Sequence, residues 1–131
     1  MNRKLWEDTV EFHGHECPGI AMGFKVCEGA IAKMDIDTSK DKIVCIAENN
    51  KCPVDAVRFI LGCTEANGRL IHKPLDNQIF SFFNKTNGKK LRIEFKPLNR
   101  DKNMDREAFT EYLLNADIDD LLIFTDIEDE F

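Results

Sequence analysis

His13-x-His15-x-Cys17 places three soft-metal ligands within five residues. The chain has only three histidines and five cysteines in 131 residues, and two of the histidines stand here. Imidazole nitrogen and thiolate sulfur are preferred ligands of zinc and of borderline metals such as nickel and iron. In an extended segment alternate residues point to one side, so all three side chains would converge. In a helix, His13 and Cys17 would share a face and His15 would turn away. Gly14 and Pro18 favour the extended or turn geometry. The plainer alternative is one surface histidine and one that satisfies a buried carbonyl.

A repeated dipeptide gives the next indication. Cys17-Pro18 and Cys52-Pro53 each place a thiol at the start of an expected helix, where proline fits because its missing N–H costs nothing. The backbone N–H groups of a helix N-terminus stabilise an anion, which lowers a thiol's pKa and favours the metal-binding or nucleophilic thiolate. Spacing alone does not bring the two thiols together, since they lie 35 residues apart. The proposed metal set is His13, His15, Cys17 and Cys52. Asp55 follows Cys52 by three residues on the same helical face. It serves either as a first-turn acid or as a partner orienting a histidine, or as a general base. Glu48 ends a strand, where sites often open. Cys63 stands in a loop, where a cysteine has less packing reason to occur. Asp55, Glu48 and Cys63 are therefore the catalytic candidates. Cys27 and Cys45 lie on apolar stretches and read as core. His72 reads as surface.

Composition narrows the classes. A net charge of −6 argues against a nucleic-acid backbone binder or a ligand of anionic membranes. No apolar run reaches the roughly 20 residues of a membrane span. The first residues lack the apolar core of a signal peptide. An odd cysteine count without repeated spacing suits a reducing cytoplasm and not a disulfide framework. The expectation is one cytoplasmic domain over residues 1–131.

Hydrophobic periodicity predicts the elements that must position these residues. Helices are expected over 3–11, with Trp6 in the core, then from Pro18 to about Lys33, from Cys52-Pro53 to about Leu61, and from about Met104 to Leu114. Strands are expected over 42–48, 69–72, 77–83 and 89–95. The first is continuously apolar and should be buried on both faces. The last alternates, with Leu91, Ile93 and Phe95 inward. Asn87-Gly88 marks a hairpin. Pro97 to Asn103 reads as a linker. The tail carries Leu121 to Phe124 and Ile127 among acids, with no strand or helix assigned. Seven basic residues between Lys85 and Lys102 contrast with the acidic tail from Asp117. They are either two solvated faces or two surfaces that meet, in one reading across a dimer.

The set Phe12-His13-Gly14-His15, Cys17-Pro18-Gly19, Gly23, Glu48, Cys52-x-x-Asp55, Gly62-Cys63-Thr64 and Gly68 resembles the FmdE family, named for a component of formylmethanofuran dehydrogenase. The resemblance runs from about residue 5 to residue 95. It implies an α+β fold with a mixed β-sheet of about five strands flanked by helices, a homodimer, and a metal-associated pocket lined by these histidines and cysteines. It further implies a core-only form, because no cysteine follows Cys63. Ala66 stands where the family often has glycine, and Arg58 where it usually has glutamine. The function implied is a metal-binding accessory protein of anaerobic one-carbon metabolism, attached to a molybdenum or tungsten oxidoreductase. A stand-alone metal- or cysteine-dependent enzyme and an interaction module with a structural metal are the alternatives. The first two are distinguished by turnover, and the third by a closed set of four ligands.

Overall fold

The computed structural model describes residues 2–98 and 104–128. Arg100, Asp101 and Lys102 of the basic block, the end of the linker, and the tail from Asp129 onward lie outside the described residues.

Among the described residues five helices and five strands follow in the order α1 (Arg3–His13), α2 (Pro18–Met34), β1 (Ile43–Ala47), α3 (Cys52–Leu61), β2 (Leu70–His72), β3 (Ile79–Asn84), β4 (Lys90–Phe95), α4 (Arg106–Asn115), α5 (Ile118–Leu121) and β5 (Leu122–Asp126). The strands form one mixed sheet in the order β2-β1-β3-β4-β5. β1 and β2 run parallel, and every other neighbouring pair is antiparallel. The class is α+β.

α2 is the central element. Ile20, Ala21, Phe24, Val26, Cys27 and Ala30 are all buried. A helix apolar on most sides must be enclosed on most sides. It packs against α3, α4 and the sheet strands β3 and β4. Its glycines allow this. A Cβ at Gly23 would lie 2.2 Å from the Pro53 carbonyl oxygen, so α2 and the first turn of α3 touch backbone to backbone there. A Cβ at Gly29 would meet Leu122 and Phe124 of β5 at about 3 Å. On α1, Trp6 is buried and packs edge-on against Phe24 with ring centroids 5.5 Å apart.

Two expectations change. β1 is not buried on both faces: Ile43, Cys45 and Ala47 are buried, while Val44 and Ile46 are half-buried. α2 and α3 cover only one face of the sheet, the face carrying Cys45, Phe80, Phe82, Leu91 and Ile93. Continuous apolarity in β1 therefore does not mark two covering layers. The tail is also not unstructured. α5 turns the chain, and β5 pairs with β4 in the register Ile93↔Phe124 and Leu91↔Asp126. The acidic tail thus meets the basic hairpin inside one chain. The Lys96 N–H donates to the Leu121 carbonyl at 2.8 Å, its Nζ donates to the Asp119 carbonyl at 2.9 Å, and Lys33 pairs with the Asp119 carboxylate at 3.1 Å.

Candidate metal centre

α1 runs two residues further than its periodicity suggests, so His13 is its last helical residue. Gly14 then takes φ +104°, a left-handed cap that costs little without a Cβ, and its N–H donates to the Val10 carbonyl at 2.8 Å. His15 and Glu16 turn the chain, and Cys17 is extended at φ −156°. The three ligands therefore converge through a sharp helix-to-helix turn, not along an extended run. The cap explains this: a left-handed glycine reverses the chain where a strand would carry it straight on. The His13 and His15 rings lie 4.5 Å apart, centroid to centroid.

Cys17 caps α2. Its Sγ accepts from the Ile20 N–H at 3.4 Å, and Pro18 follows at the first helical position. Cys52 is itself the first residue of α3, whose cap position is Lys51. The close approach of α2 and α3 brings the two helix N-termini together. Gly19 makes room for it, since a Cβ there would sit 2.8 Å from the Cys52 Cβ.

The result is one cluster. One donor atom from each of His13, His15, Cys17 and Cys52 lies within 4.8 Å of the others. His13 Nε2 is 3.9 Å from Cys17 Sγ. A tetrahedral zinc with bonds of about 2.0 Å to nitrogen and 2.3 Å to sulfur would set donor–donor edges of about 3.3–3.8 Å. Contraction by roughly 1 to 1.5 Å at the widest edge, within side-chain reach, converts the cluster into such a site. Two nitrogens with two sulfurs is a zinc-type donor set. Cys17 is buried, His13 and Cys52 are partly buried and His15 is exposed. The cluster borders an open cavity of about 490 Å³ lined by His13, Asn50, Lys51, Cys52, Asp55 and Arg58.

Asp55 lies in the first turn of α3. Its Oδ2 accepts from His13 Nδ1 at 2.7 Å. A carboxylate only accepts, so Nδ1 carries a proton, and Nε2 is the nitrogen that faces Cys17. The other oxygen, Oδ1, accepts from Arg58 at 2.6 Å. Arg58 also forks onto Glu65, at 3.1 Å from Nε and 2.8 Å from NH2, and reaches the Asn50 side-chain oxygen at 3.1 Å. Glu65 in turn meets His72 Nε2 at 3.2 Å. These partners, Arg58 first, hold the Glu65 carboxyl at about 2. The thiol of Cys52 is pushed up from its usual value by burial and by Cys17 beside it. That reverses the lowering expected from the helix N-terminus alone, because a second sulfur at the same spot opposes a second negative charge.

The remaining candidates lie elsewhere. Cys63 is fully buried, its Sγ donates to the Ile43 carbonyl at 3.0 Å, and burial pushes its thiol up to about 12. Cys27 and Cys45 are fully buried as well, and burial raises their thiols too. Glu48 accepts from the Asn77 side-chain amide at 3.0 Å and tethers the loop before β3. Sequence reasoning passed over Arg58 and Glu65 as parts of the site. The available hint was that Asp55 and Arg58 are the sole charged residues of α3 and stand at i and i+3.

Comparison with known proteins bears on the family and the fold. Residues 12–121 match the family described as "FmdE, Molybdenum formylmethanofuran dehydrogenase operon". A probable S-adenosyl-L-methionine-binding protein of Archaeoglobus fulgidus is 30% identical over 103 residues, which is 75% of this chain. The chain spans only 28% of that relative's length. The fold resembles a crystal structure of a tungsten formylmethanofuran dehydrogenase FmdE-like protein from Syntrophus aciditrophicus. The TM-score is 0.71 at 24% identity, covering 96% of this chain and 72% of the other. The family match takes in the four clustered ligands, Asp55 and every strand but the last, so the chain belongs to the FmdE family.

Proposed function

We propose that this chain is a metal-binding accessory protein of anaerobic one-carbon metabolism that works with a molybdenum or tungsten formylmethanofuran dehydrogenase-type enzyme. His13, His15, Cys17 and Cys52 would hold one divalent transition metal, zinc by the chemistry of the donor set, with nickel or iron as alternatives. The observation that carries the reading is the convergence of four donor atoms within 4.8 Å from segments 35 residues apart in sequence. Core packing needs no such meeting of two imidazoles and two thiols. The partner enzyme is supported by the family description. A cytoplasmic homodimer belongs to the same reading. It is supported by five free cysteines and by the sheet face with Val44, Ile46, Ile71 and Phe83, which α2 and α3 leave uncovered.

The test is metal analysis of the protein purified without a metal-chelating tag. One metal per chain is expected, lost on Cys17→Ala or Cys52→Ala. Metal-free native protein that also ignores added zinc would remove the basis of the proposal.

A second reading, a stand-alone enzyme, is favoured by the exposed His15 and the open cavity beside Cys52. A small molecule could take the place of His15 on the metal. Asp55 would then not be a free general base, since both its oxygens are engaged. Cys63 has no route to solvent and would take no part. His15→Ala that keeps its metal and admits an azide or cyanide ligand would support this reading.

A further inference from the structure

Arg58 has little donor capacity left for a substrate. Four of its five N–H directions are taken: Nε and one NH2 hydrogen by Glu65, one NH1 hydrogen by Asp55, and the other NH2 hydrogen by Asn50. Its side chain is only 20% exposed. These bonds join α3 to the loop before it and to the loop after it, and they end on the one carboxylate that holds a metal-ligand imidazole. A guanidinium fork binds two carboxylates in fixed planes, which a point charge cannot do.

We propose that Arg58 is the positioning residue of the site. It fixes the Asp55 carboxylate between itself and His13, so that His13 keeps its proton on Nδ1 and presents Nε2 to the two cysteine sulfurs. Glu65 backs Arg58 from the far side, held in turn by His72. The inference rests on the metal-binding reading above, and goes beyond it by assigning a role to residues that touch no metal. Outer partners of ligating histidines typically alter metal affinity 10- to 100-fold, by orienting the ring and raising its basicity.

The experiment has two arms. In the first, cobalt(II) affinity is measured by competition with a chromophoric chelator on wild type, Arg58→Ala, Arg58→Lys and Glu65→Gln. Arg58→Ala is expected to weaken binding by roughly 10- to 100-fold. Arg58→Lys should recover part of the loss, and Glu65→Gln should fall between Arg58→Ala and wild type. In the second, the ¹⁵N shifts of the His13 ring are recorded in metal-free protein. Wild type should show a single Nδ1–H tautomer and Arg58→Ala a mixture. Should Arg58→Ala fail to fold, Glu65→Gln, altered only on an exposed side chain, carries both arms. Wild type that binds no cobalt overturns the metal reading, while the tautomer arm still judges Arg58. Wild type that binds cobalt with unchanged affinity and tautomer in the variants overturns this inference alone.

Discussion

Each thiol of the chain has a surrounding that sets its reactivity. Cys27, Cys45 and Cys63 are fully buried, and burial raises the proton affinity of all three, that of Cys63 to about 12. A thiol that stays protonated and out of contact with solvent does not alkylate. The Cys52 thiol is raised too, but it is the one half-buried cysteine, so native metal-free protein treated with iodoacetamide at mildly alkaline pH should react at Cys52 and leave those three intact until denaturant is added. Zinc added first should protect Cys52, and mass mapping of the labelled peptides reads the outcome. Modification of Cys63 in native protein would contradict its placement. Glu65 gives a second check at this scale. Its folded pKa of about 2 lies below the usual carboxylate value because Arg58 and His72 favour the charged form. A depressed carboxylate adds stability above its unfolded pKa, near 4.3, and loses it as the pH falls toward about 2. The group is exposed, so the effect on unfolding is slight. The titration itself is the sharper readout: in Arg58→Ala, the Glu65 carboxyl followed by NMR should move up toward the ordinary value.

The site is assembled by contacts between elements that no local motif announces. His13-x-His15-x-Cys17 was readable as a ligand cluster, and Cys52-Pro53 as a helix start. Their meeting depends on Gly19 and Gly23, which let α2 lie directly against the first turn of α3. Gly23→Ala would put a methyl 2.2 Å from the Pro53 carbonyl oxygen, and neither helix backbone can yield cheaply. Overpacking of this kind costs about 1–3 kcal/mol, and here the high end is expected. Urea unfolding should show that loss, and metal affinity should fall with it as Cys52 is pushed from Cys17. Lys25 gives the contrasting case. Its Nζ is buried and donates to the Ala116 carbonyl at 2.7 Å and the Leu114 carbonyl at 3.4 Å, satisfying carbonyls that the C-terminus of α4 leaves open. Lys25→Met should cost about 2–3 kcal/mol and speed amide exchange in α4, yet leave metal binding unchanged. The sequence's periodicity placed α2, α3, β3 and β4 within a residue or two because each is strongly patterned. It missed α5 and β5 because four adjacent apolar residues among acids fit neither a helical nor an alternating pattern. It left extended and turn geometry open at Gly14, because one left-handed residue decides the chain's direction there. The bonds of Arg58 to Glu65 and Asn50 were not legible, since they span loops whose relative placement comes only from the finished fold.

At the scale of the whole molecule the four clustered His and Cys side chains sit where three helices end or begin: the C-terminus of α1, the N-terminus of α2 and the N-terminus of α3. None of them lies in the sheet. The sheet, with one face covered by α2 and α3, is held by its own ladders and by α2. Metal binding should therefore act as a clamp on the helical layer and add to stability by linkage, because the unfolded chain holds no preformed site. At free zinc 100 times the dissociation constant the gain is about 2.7 kcal/mol. With about 2.1 cal/mol/K per residue of unfolding entropy, a chain of this size should gain on the order of 10 °C in Tm. Calorimetry with and without zinc measures this directly, and EDTA should reverse it. Cys17→Ala and Cys52→Ala should abolish the shift, whereas Lys25→Met, destabilised from another side of α2, should melt lower in both states and keep the full increment. A zinc-bound wild type that melts at the same temperature as the metal-free protein would mean that the unfolded chain holds zinc as tightly as the folded one. The clamp would then be no part of how this fold is stabilised.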